Sequence, residues 1–129
     1  MFVGHNEYEE SAMSLYAELP IYRDSYSLLL NIYQLTGKFS REYKYTLGQD
    51  MKRDALNLFR NLYQANRSLD KRQNLDEFLV EFELLKLEVR MCVDLRLVSL
   101  KKMAEISLLT DNIGKQIHAW KQKVVKQKA

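Results

Sequence analysis

The sequence predicts an all-α fold, an antiparallel up-down-up-down four-helix bundle, and three observations predict it. Glycine and proline are scarce, four and one in 129 residues, while the helix-favouring Leu, Lys, Glu, Arg, Gln and Ala are abundant. Apolar residues recur at steps of three and four through four successive stretches, which lays one stripe down each of four helices. The polar links between the stretches are short, and short links make antiparallel neighbours. A chain of this length forms one domain around one core. It divides into a variable arm at 1–18, a bundle at 19–124 with helices at about 20–37, 40–67, 74–95 and 99–122, and a basic tail at 125–129.

Residues 1–18 hold only Ala12, Leu15 and Tyr16 at helical spacing, among acids and Gly4. The first long helix starts at Pro20, whose fixed φ suits a first turn, and passes through Tyr22, Tyr26, Leu29, Leu30, Tyr33 and Thr36. Gly37 is its stop, as a residue that accepts the left-handed conformation at a helix end. Ser40 caps the second helix and Glu42 places a carboxylate at its positive end. Its stripe is Leu47, Met51, Ala55, Leu58, Leu62 and Ala65, widened by Leu56, Phe59 and Tyr63 to a face that touches two neighbours.

The polar link 68–74 leads to a third helix with apolar positions Leu75, Phe78, Leu79, Phe82, Leu85, Val89, Cys92 and Val93. Ser99 caps the fourth, which continues through Leu100, Met103, Ile106, Ser107, Thr110, Ile113, Gly114, Ile117 and Trp120 before a fraying lysine-rich end. Glycine inside a helix costs roughly 1 kcal/mol against alanine, so Gly114 marks close approach of another helix, within the bundle or across a subunit interface. Trp120 offers a large apolar surface with one N–H beside it. Tyr22, Tyr26 and Tyr33 form a core or subunit-contact stripe.

The net charge of +3 hides a strong asymmetry. Residues 1–37 carry one Arg against five acids, whereas residues 38–72 carry nine Lys or Arg against four acids, and residues 111–129 five Lys against one acid. Lys52, Arg53, Arg60, Arg67, Lys71 and Arg72 are the candidate nucleic-acid contacts, as a basic surface that meets phosphates; a solvated helix face is the plainer reading of the same residues. Tyr43 and Tyr45, beside Arg41 and Lys44, either stack bases or pack at the bundle end.

No catalytic set emerges. His5 and His118 stand far apart outside any HExxH spacing, no Glu-x-x-His pair suggests a di-iron bundle, and no CxxC, Gly-rich phosphate loop or Gly-x-Ser-x-Gly occurs. The chain reads as a binding module, not an enzyme, with no cofactor and no metal. Cys92, alone on an apolar helix face, reads as a small core residue. No apolar run is long enough to span a membrane and residues 1–10 are acidic, so the expected location is the cytosol.

Phe39-Ser40-Arg41 followed by Tyr45-Thr46-Leu47-Gly48 resembles the signature of the accessory variability determinant proteins of diversity-generating retroelements, a family related to four-helix-bundle proteins encoded in 23S rRNA intervening sequences. Leu19-Pro20-Ile21-Tyr22, Ala65-Asn66, and Ile113-Gly114-Lys115 with Trp120 agree in order, so the resemblance covers about residues 19–122. Ser40 stands where proline is common, and Gln116-Ile117-His118-Ala119 replaces smaller residues before the tryptophan. The resemblance implies a homo-oligomer, typically a pentameric ring, and Tyr22, Tyr26, Gly114 and Trp120 are the candidate oligomer or partner contacts. It also implies binding to a reverse transcriptase and to its template RNA or an RNA/DNA hybrid, in support of mutagenic complementary-DNA synthesis that diversifies a target gene. An intervening-sequence bundle protein and a helical scaffold for protein partners are the alternatives.

Overall fold

Pro20 opens the first helix, α1 (Pro20–Gly37), from the position where its missing N–H has no intrahelical bond to lose. The computed structural model describes residues 19–128; the arm at 1–18, His5 within it, and Ala129 lie outside the described residues. After α1 come a single turn, α2 (Arg41–Lys44), and three long helices, α3 (Leu47–Arg67), α4 (Arg72–Asp94) and α5 (Leu100–Lys128), with no strand among the described residues.

The long helices neighbour one another in chain order: α1 on α3, α3 on α4, α4 on α5, and α5 back on α1. Paired residues show that each neighbour runs antiparallel. Tyr22 near the start of α1 bonds Leu62 near the end of α3, Met51 early in α3 touches Cys92 late in α4, and Asp76 early in α4 pairs with Lys121 late in α5. α1 and α4 therefore lie across the bundle's diagonal.

The core is a column of Ile21, Leu28 and Ile32 from α1, Met51, Leu58 and Leu62 from α3, Phe78, Phe82 and Leu85 from α4, and Ile106, Ile113 and Ile117 from α5. Each large side chain there contributes about 1.5–3 kcal/mol by leaving water. All six predicted stripe residues of α3 are buried. Leu56 and Tyr63, expected to widen that face inward, are exposed. Thr36 satisfies its buried hydroxyl by donating to the Ile32 carbonyl at 2.8 Å.

The expected second helix at 40–67 is broken at Tyr45 and Thr46. Thr46 leaves helical geometry at φ −118°, ψ −96°, and its hydroxyl donates back to the Glu42 carbonyl at 2.9 Å. Gly48 allows the fold that follows, because a Cβ there would sit 3.2 Å from the Tyr43 carbonyl oxygen and 3.4 Å from Phe39 and Thr36. Ser40 does precede the first turn, but its backbone carbonyl, not its side chain, accepts from Tyr43 and Lys44.

The other ends also differ from expectation. Gly37 is the last residue of α1 but takes no left-handed conformation; Lys38 and Phe39 close the end with N–H bonds to Leu35 and Thr36. The left-handed residue is Arg96, at φ 60°, after α4. Leu97 N–H bonds the Cys92 carbonyl at 2.7 Å and Arg96 N–H the Val93 carbonyl at 3.0 Å, the pair of bonds that closes a helix around such a residue. Ser99 caps α5 as expected, its Oγ accepting from Lys102 N–H at 3.1 Å. The basic tail continues α5 to Lys128 instead of fraying, with Val124 buried.

Candidate functional site

Arg53, Arg60 and Arg67 stand seven residues apart on α3, which places them on one exposed stripe. Each is held locally. Arg53 lies 3.3 Å from Asp50 and 3.6 Å from Asp54, Arg60 donates to Asn57 at 3.4 Å, and Arg67 donates to the Tyr63 hydroxyl at 2.9 Å while its guanidinium covers that ring.

Lys52 points elsewhere, half-buried over the Tyr33 ring at 5.6 Å in the seam with α1. Lys71 is engaged within the chain. Its ammonium donates to the carbonyls of Ala65, Asn66 and Ser68 at 3.0, 3.2 and 3.0 Å, which uses all three N–H groups on the C-terminal end of α3. Arg72 joins Arg60 in a groove of about 690 Å³ between α3 and α4. Asp70, Asp76, Glu77 and Glu81 line the same groove, so four carboxylates share it with the two guanidiniums.

A second basic cluster escaped the sequence reading. Lys38, Lys101 and Lys102 line a groove of about 680 Å³ where the end of α1 meets the start of α5, with Glu105 as its one acid. Lys102 is tied to Asn31 and to Glu105, leaving Lys38 and Lys101 outermost. Tyr43 and Tyr45 separate: Tyr43 packs against the core and Tyr45 faces solvent.

The expected contact residues scatter. Tyr22 is a core residue, 2 % exposed, edge-on to Phe59 and donating its hydroxyl to the Leu62 carbonyl at 2.8 Å, so no second subunit reaches it. Tyr26 is exposed on the outer face of α1. Gly114 meets α4 inside the bundle, but a Cβ there would lie 3.7 Å from Phe82, an ordinary contact that does not demand glycine. Trp120 packs half-buried against the core, and His118 is exposed near Lys121 and Lys126. The sequence reading missed an exposed apolar line on α4 formed by Val80, Leu84, Leu87 and Met91.

The family model described as bAvd-like, the bacterial accessory variability determinants, matches residues 21–124, from the first turn of α1 almost to the end of α5. The chain belongs to the bAvd-like family. The match takes in every long helix, and the tyrosine-to-glycine signature at 45–48 falls on the joint where α3 begins. A search of the curated proteins finds no match.

Within this bAvd-like bundle the perturbed titratable groups are interior. Burial, then the hydrogen bond to Asp54 and the charges of Asp54 and Asp50, push the Glu88 carboxyl up to about 8. Burial and the neighbouring Glu88 push the Cys92 thiol up to about 11, which makes it inert at neutral pH. Among the described residues no group of three or more His, Cys, Asp or Glu is placed to hold a metal ion, and no helix is long and apolar enough to cross a membrane.

Proposed function

We propose that this bAvd-like protein is a non-catalytic accessory subunit of a diversity-generating retroelement. In this reading it works in the cytosol as a homo-oligomeric ring, of five subunits as the family resemblance suggests, and binds the element's reverse transcriptase and template RNA during mutagenic complementary-DNA synthesis. The observation that carries the reading is the family match across the whole bundle. The exposed arginines at 60 and 67 and the lysine groove of Lys38, Lys101 and Lys102 support the nucleic-acid part. The polymerase supplies the chemistry; the bundle supplies a charged, rigid surface.

The test is co-purification of the full chain with the reverse transcriptase and RNA of its locus, followed by RNA titration across salt concentrations. Arg60→Glu with Arg67→Glu is the informative double variant, because Arg53 also offsets the buried Asp54. Weaker RNA binding with unchanged helicity and particle mass is the expected result. Wild-type-like RNA affinity in that variant removes α3 from the interface. A second reading, a scaffold for protein partners, draws on the exposed apolar lines of α1 and α4. Partner binding that barely responds to salt would favour it.

A further inference from the structure

The groove between α3 and α4 has a polar floor with open hydrogen-bonding capacity. Asp54 on α3 faces Glu88 on α4, and seven residues further along α3 and seven back along α4 come Asn61 and Glu81. The two helices run antiparallel, so Asn61 and Glu81 meet on the same seam, about two turns nearer the α3–α4 link. Both line the groove of about 690 Å³. Asn61 is 8 % exposed, yet its carboxamide has no hydrogen bond to any described residue. Glu81 is partly buried, and its Oε2 is shut off from water without a hydrogen-bond partner. Buried polar groups ordinarily have partners.

The other carboxylates of the groove are engaged. Asp70 accepts from the Arg72 backbone N–H at 3.1 Å, Asp76 lies 2.7 Å from the Lys121 ammonium, and Glu77 accepts from Gln73 at 3.3 Å. Arg60 and Arg72, both exposed, line the same groove. The floor therefore offers a carboxylate and a carboxamide, and the walls offer two guanidiniums. The volume falls among those of sites for small ligands, about 300–1,000 Å³.

That set of groups selects a nucleotide, and among nucleotides one base. A carboxylate accepts two side-by-side N–H bonds, and the last torsion of a glutamate is broad enough to turn both oxygens to a ligand. Of the four RNA bases only guanine sets two donors side by side on its Watson–Crick edge, N1–H and the N2 amino group, with the O6 acceptor next to them. A carboxamide N–H reaches that acceptor. Adenine and cytosine place an acceptor beside their amino group, and uracil places a carbonyl on each side of one N–H, so each would turn a lone pair toward Glu81. Proteins read RNA mostly at unpaired bases, whose edges are open, while arginines hold the flanking phosphates.

We propose that the α3–α4 groove binds one unpaired guanine of a single-stranded RNA. Its N1–H and N2 amino group lie on the Glu81 carboxylate, its O6 on the Asn61 carboxamide, and its flanking phosphate between Arg60 and Arg72. The proposal rests on the reading of the protein as an RNA-binding subunit and adds which base is read, and where.

The full chain is titrated with fluorescein-labelled pentaribonucleotides UUGUU, UUAUU, UUCUU and UUUUU, and with UUIUU, in which inosine is guanosine without the N2 amino group. Fluorescence anisotropy should show UUGUU binding at least about tenfold more tightly than the A, C and U forms, with the inosine form between. Glu81→Gln should remove the preference, so that UUGUU and UUAUU bind alike, whereas Arg72→Ala should weaken every sequence by the same factor. Equal affinities for the G, A, C and U forms in the unaltered protein overturn the base site but leave RNA binding in place. A guanine preference that survives Glu81→Gln at wild-type helicity overturns the placement, and an inosine form equal to UUGUU overturns the two-donor contact without any variant. Failure of every pentamer to bind overturns the base site; if a long RNA of the locus also fails to bind, the RNA-binding reading falls with it.

Discussion

The carboxyl groups of Asp54 and Glu88 lie together inside the α3–α4 seam, the two residues being 3 % and 6 % exposed. Asp54 Oδ2 and Glu88 Oε1 are both shut away from solvent with no donor group nearby, and a proton held between the carboxyls supplies one. Arg53 sits at the rim of the pair and offsets only part of its charge.

That pair makes stability fall as pH rises. Glu88 titrates near 4.5 in an ordinary setting and at about 8 in the fold, so across that window the folded chain holds a proton that the unfolded chain has lost. Unfolding free energy therefore declines between those values, by an amount on the order of a few kcal/mol, and levels off above them. Glu88→Gln keeps an N–H donor toward Asp54 without the charge. Urea unfolding should show the variant close to wild type at pH 5 and more stable at pH 8.5. An unchanged pH slope in the variant would remove Glu88 as its source.

Lys71 is tied to the end of α3. Its three bonds close the carbonyl end of α3, so Lys71→Met should lower the unfolding free energy by about 1–2 kcal/mol. RNA affinity at equal folded concentration should stay at the wild-type value, while Arg67→Ala lowers it. A loss of RNA affinity in Lys71→Met without loss of stability would restore the phosphate role.

Arg96 stores strain at the end of α4, because a side chain at φ 60° crowds its own carbonyl. Glycine removes that crowding and keeps both closing bonds to Cys92 and Val93. Arg96→Gly should raise stability by about 1 kcal/mol, or roughly 4 °C in the thermal midpoint. A destabilised variant would mean that the arginine side chain contributes more than its backbone costs.

The core stripe of α3 was legible in the sequence because Leu47, Met51, Ala55, Leu58, Leu62 and Ala65 fall in one direction, whereas Leu56 and Tyr63 lie outside it. α1 was not, since Ile21, Tyr22, Tyr26, Leu28, Leu30, Ile32, Tyr33 and Leu35 surround the helix; burial chose Ile21, Tyr22, Leu28, Ile32 and Leu35 and left the rest outside. Periodicity cannot rank faces when most are apolar. The bonding of Lys71 was hidden for another reason: a charge count sees the ammonium but not the carbonyls at a helix end that it meets. The lysine groove was invisible because Lys38 and Lys101 are distant in sequence and meet only through the α1–α5 packing.

Gly114 separates a demand of the bundle from a demand of the assembly. A methyl group there touches Phe82 at 3.7 Å without displacing it, and alanine in a helix interior gains about 1 kcal/mol over glycine. Gly114→Ala should therefore raise the unfolding free energy by about 0.5–1 kcal/mol. Gly114 meets Phe82 inside the bundle, so particle mass by light scattering should be unchanged. A more stable subunit that no longer assembles would instead place a neighbouring copy against Gly114. That result would put the subunit interface at the seam between α4 and α5.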